Sequence, residues 1–101
     1  MNWIKTKLGE IAYAEKVDGK IPETPKGARI GMPWELLQIR IEEPDALKDF
    51  PKYEYIWCGV RACRLDFFGN YSDVDADGRD VVNQNDYVRG VFFIKHRKVK
   101  Q

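Results

Sequence analysis

From Tyr53 to Phe68 the chain alternates in a way that only an extended strand can use. Ile56, Cys58, Val60 and Ala62 fall on one side, and Tyr53, Tyr55 and Trp57 on the other. Three aromatic side chains on one strand face must either enter a second core layer or stand exposed as a contact surface. Beyond Ala62 the parity inverts, because Arg64 and Asp66 take the apolar positions while Cys63, Leu65 and Phe67 take the opposite ones. A bulge or sharp bend between Gly59 and Cys63 would keep one core face continuous. A second long strand is expected from Tyr87 to Lys95, with Val88, Phe92 and Ile94 inward, pairing antiparallel with the first.

The N-terminal third offers the cover for such a sheet. Ile4, Leu8, Ile11 and Ala12 share a helical stripe over residues 3–17, with Asn2 as N-cap and Gly19 as terminator. Gly9 weakens that helix, and the segment Glu15 to Ile21 also reads as a hairpin around Asp18-Gly19. Pro22, Pro25, Gly27, Gly31 and Pro33 crowd residues 22–33 and predict a surface loop. Leu37, Ile39 and Ile41 alternate with polar neighbours, which predicts a half-buried strand ending before Pro44. Residues 43–52 read as a connector with one short helical turn. The sum is a single α+β domain over residues 1–101, an N-terminal helix packed on a small, mostly antiparallel sheet of three to five strands.

Composition bounds the partners. Hydrophobic residues make up 44% and aromatics 13%, enough for a folded core and too much for a disordered chain. With 17 Lys and Arg against 16 Asp and Glu the net charge is +1, so the chain as a whole is neither a basic nucleic-acid binder nor an acidic mimic. No apolar run approaches the ~18 residues needed to span a bilayer, and the start has no signal-peptide core. The expectation is a cytoplasmic protein with no membrane partner. Cys58 and Cys63 on one extended strand would lie about 16 Å apart, too far for a disulfide.

Local charge is uneven. Residues 66–86 hold six Asp against Arg79 alone, while Arg97, Lys98 and Lys100 crowd the 95–101 tail, where they are candidate phosphate contacts or a solubilising terminus. Asp73-x-Asp75-x-Asp77-Gly78 resembles the first half of an EF-hand or dockerin calcium loop, which makes Asp73, Asp75 and Asp77 a candidate cation site. The second half departs from that pattern at Asp80 and Gln84. Competing readings make residues 69–86 a helix capped by Ser72 or a solvated acidic loop.

Catalytic signals are sparse: one histidine, His96, two separated cysteines and no phosphate-binding glycine motif. The order of an N-terminal helix, a Pro-preceded strand and a strand ending in Arg64-Leu65-Asp66-Phe67-Phe68-Gly69 is similar to the tail-terminator and head-tail joining proteins of tailed phages. That resemblance implies ring assembly through subunit interfaces. The leading expectation is a non-enzymatic protein-binding or assembly domain, such as a virion-joining component or an inhibitor of a host complex. Its contacts would be Tyr53, Tyr55, Trp57 and Trp34, and its partner another protein or itself rather than nucleic acid. It needs no cofactor. A calcium-binding module and a small hydrolase or nuclease are the alternatives.

Overall fold

The N-terminal segment is a hairpin, not the helix its stripe predicts. Strand β1 (Ile4–Thr6) pairs antiparallel with β2 (Gly9–Glu15), so Ile4 and Ile11 meet as direct cross-strand partners. The turn between them is closed by Thr6, whose hydroxyl donates to the Gly9 carbonyl at 2.7 Å and accepts the Leu8 N–H at 3.2 Å. The Lys7 N–H donates to a Glu43 carboxylate oxygen at 3.0 Å and ties this turn to the helical side of the molecule. The Asp18-Gly19 turn does form. Both residues adopt left-handed φ, 52° and 75°, and Val17 and Lys20 exchange backbone hydrogen bonds across it. The computed structural model describes residues 1–52, 54–59, 61–66, 73–76 and 88–96, with 61–66 and 73–76 described by their backbone.

The centre of the sheet is the C-terminal strand. Residues Gly90–Lys95 pair antiparallel with β2 along one edge and, along the other, with two elements placed end to end. One is the two-residue strand β3 (Arg29–Ile30), an extended piece inside the predicted 22–33 loop. The other is β4 (Tyr55–Cys58), which runs parallel to the C-terminal strand, with Ile56 opposite Gly90 and Trp57 opposite Val91. The expected antiparallel pairing of the two long strands is therefore wrong in direction. Between them the chain reverses twice, first at Gly59, whose φ is 59°, so that β5 (Arg61–Asp66) folds back on β4, and again before the strand that pairs antiparallel with β5. The inverted parity after Ala62 marks that hairpin rather than a bulge in one strand.

Strand β6 (Asp73–Ala76) pairs antiparallel with β5. With the C-terminal strand numbered β7, the sheet runs β1-β2-β7-β4-β5-β6, β3 lying beside β7. Among the described residues, five strands have four or more residues and two are shorter. The architecture is α+β with one α-helix among the described residues and a mostly antiparallel sheet.

That helix, α1 (Pro33–Glu42), occupies the segment predicted as a strand. Proline at its first position presets the backbone angle, and Glu35 reaches back to accept the Met32 N–H at 2.9 Å, satisfying a helix-start donor. Leu36 and Ile39, three residues apart, are then buried together while Ile41 turns outward, which the period-two reading cannot produce. A 3-10 turn (Pro44–Leu47) follows, in the place the connector predicts.

The sheet carries a core on each face. On one, α1 and the 3-10 turn bring Leu36, Ile39, Leu47 and Phe50 onto Ile11, Ile56, Cys58, Phe92 and Ile94. On the other, Trp57, Val88, Val91 and Phe93 pack with half-buried Trp3, Ile21, Ile30 and Tyr55. Strand β7 is apolar on both sides because it is covered on both sides.

Candidate functional site

The strand aromatics do not form an open contact surface. Trp57 is only 7% exposed and anchors the second core, and Tyr55 is half-buried against it. The cover comes from Trp3, Ile21 and Ile30 rather than from an N-terminal helix. Tyr53 lies outside the described residues. As interface candidates, then, Trp57 is corrected to a core residue and Tyr55 to its margin.

Trp34 is different. It is 56% exposed on α1, and Ile41, two turns along the same helix face, is 63% exposed. Leu37, half-buried, lies between them, and Met32 just before the helix is 38% exposed. A helix that covers a core with one face normally presents polar residues on the other. Here the outward face is apolar as well, which is why the segment lacks an amphipathic signature in sequence.

The start of this helix is tied to β3. Arg29, on β3, forms a two-pronged ion pair with Glu35, both guanidinium-to-carboxylate distances being 2.8 Å. The Glu35 side chain is 1% exposed and that of Arg29 is 39% exposed. Burial alone would push the Glu35 carboxyl up, but the Arg29 hydrogen bonds, the Met32 N–H and the Arg29 charge outweigh it and hold it below the usual carboxylate range. Arg29 also donates to His96 Nε2, at 2.9 Å from Nε. The network joins β3, the start of α1 and the end of β7. It was not among the sequence candidates. The one local clue is Pro33-x-Glu35, an acidic residue placed to reach back at a helix start.

The remaining candidates divide. Asp73 and Asp75 stand in strand β6, opposite Asp66 and Arg64 respectively, not in a loop or at a helix start. An extended backbone keeps alternate residues about 6.6 Å apart, whereas the calcium-loop pattern needs a chain that curls round its ion. Asp77, Arg97, Lys98 and Lys100 lie outside the described residues. Cys58 is buried, its thiol 3.8 Å from the Ile56 carbonyl, while His96 is exposed and engaged by Arg29. Cys63 sits opposite Ile56 on the adjacent strand, so the extended-chain spacing of the two cysteines does not apply.

No family model matches the chain, and no curated protein or solved structure does either. No helix among the described residues is long and apolar enough to cross a membrane. The element order behind the likeness to phage joining proteins is also changed, since the helix follows three strands and the Arg64 strand is the second arm of a hairpin.

Proposed function

We propose that the protein is a non-enzymatic binding or assembly domain whose contact surface is the outward face of α1. The observation that carries this reading is the pair Trp34 and Ile41, exposed on one helix face, Trp34 being the one exposed Trp, Tyr or Phe side chain among the described residues. A helix laid on a partner's groove uses residues at this spacing, and tryptophan at the centre of an interface supplies a large share of its energy. Arg29 and Glu35 favour the same reading, because a surface fixed in advance loses less conformational entropy on docking. The partner is another protein or a second copy of this chain.

The test places a photo-crosslinking amino acid at position 34 in the source cell and in purified protein. Adducts, either with a defined partner or between copies, are expected, and Ile41→Ala should reduce their yield. Crosslinking to neither, at any concentration tried, would sink the proposal.

A further inference from the structure

Away from α1, the end of the sheet opens into a cavity of about 720 Å³ lined by Lys5, Thr6, Gly9, Glu10, Lys26, Gly27, Lys95 and His96. Its floor is one transverse row of the sheet. Lys5 on β1 is paired with Glu10 on β2, and Glu10 with Lys95 on β7, so two lysines flank a single carboxylate on one face. The third ammonium group comes from a separate turn, closed by the Ala28 N–H on the Pro25 carbonyl at 3.0 Å. Three lysines thus line one cavity from parts of the chain up to ninety positions apart, and among the described residues none of them forms an ion pair. Lys95 rests its ammonium 4.1 Å from the centre of the Trp3 ring, an interaction that leaves its positive charge uncompensated.

His96 lines the same cavity beside Lys95. Arg29 approaches its Nε2 at 2.9 Å from Nε and 2.6 Å from Nη2, and guanidinium nitrogens can only donate. In this arrangement Nε2 accepts from Arg29. Arg29 is itself neutralised by Glu35, so it orients the imidazole without supplying the pocket's charge.

We infer that this cavity binds a small phosphorylated molecule. Three ammonium groups against one carboxylate call for a ligand of at least two negative charges, and lysines are point-charge partners for phosphate oxygens. The volume lies in the range of pockets that hold whole small molecules, roughly 300–1,000 Å³, and so leaves room for an organic body beyond the phosphate. A half-open cavity confined to one end of the sheet suits such a ligand better than a polymer, which needs a continuous track of charge.

The probe is inorganic pyrophosphate, titrated in low salt and followed by amide chemical shifts. Saturable shifts are expected in residues 5–10, 26–27 and 95–96, with a dissociation constant of about 0.1–1 mM. Lys5→Gln and Lys26→Gln, both at exposed positions that leave the core intact, should each weaken binding about tenfold. Lys20→Gln removes the same charge from an exposed turn outside the cavity and should change affinity less than about twofold. Absence of saturation up to about 20 mM overturns the inference. So does equal weakening by Lys20→Gln, or binding of a single-stranded oligonucleotide that pyrophosphate fails to displace.

Discussion

Replacing Trp57 and Trp34 by alanine, one at a time, separates a core tryptophan from a surface one. A tryptophan buries roughly 200 Å², and at ~25 cal/mol per Å² that corresponds to about 5 kcal/mol. An unfolded chain that is already partly compact lowers the figure by 10–40%, to roughly 3–4.5 kcal/mol. Trp57, 7% exposed between Val88, Val91 and Phe93, should lose nearly all of this. Trp34, 56% exposed, buries a little under half as much. Alanine's better helix propensity returns about 0.5 kcal/mol, leaving a net cost of about 1 kcal/mol. Urea unfolding followed by far-UV circular dichroism reads the difference. With a slope near 1.5 kcal/mol/M, Trp57→Ala should lower the midpoint by about 2–3 M and Trp34→Ala by less than about 1 M. If Trp57→Phe and Trp57→Ala both stay within about 1 kcal/mol of the parent, Trp57 is not a core anchor and the division of the aromatics drawn here fails.

Glu35→Gln should cost about 2 kcal/mol at neutral pH, because two charge-assisted bonds to Arg29 weaken and Arg29 is partly solvated in compensation. The Glu35 carboxyl is held below its unfolded value of about 4.3, so its contribution is present above that pH and is lost as pH falls through the lower folded value. Midpoints of parent and variant should therefore converge on acidification below about pH 4, and a constant gap down to the acid limit would contradict the ion-pair account. Gly31→Ala should destabilise by about 1–3 kcal/mol, since its added methyl would press into the enclosed Phe92 ring; a neutral result in a thermal melt would place that ring elsewhere. With Asp73 and Asp75 on an extended strand, about 10 mM calcium should leave the melting midpoint where magnesium and chelator leave it, whereas a calcium-specific rise that Asp75→Asn removes would restore the cation site.

Several features were legible in the sequence because short-range chemistry alone decides them. Asp18-Gly19 forms a turn, Pro44 opens a helical turn, and Phe92 and Ile94 face a core, as local pattern indicates, whereas the burial of Val91 and Phe93 on the other face needs the second core layer. The α+β class rests in sequence on an N-terminal helix, whereas the helix lies at Pro33–Glu42 and the N-terminal segment is a hairpin. What the sequence left ambiguous was decided by pairing. Ile4, Leu8, Ile11 and Ala12 fit a helix and a hairpin equally well, and β2 is a strand because β7 supplies a hydrogen-bonding partner along its length. Leu37, Ile39 and Ile41 fit a strand, yet the start set by Pro33 and Glu35 and the burial of Leu36 with Ile39 make the segment helical. Parallel pairing of β4 with β7 follows from two reversals between them, one at Gly59 and one between β5 and β6, which no local pattern announces. The candidate surfaces divide in the same way. Trp34 is visible as a residue, but its exposure is a property of where α1 lands. The lysine-lined cavity joins Lys5, Lys26 and Lys95, which no local pattern connects, because their proximity exists only after β1, the Pro25 turn and the end of β7 have come together.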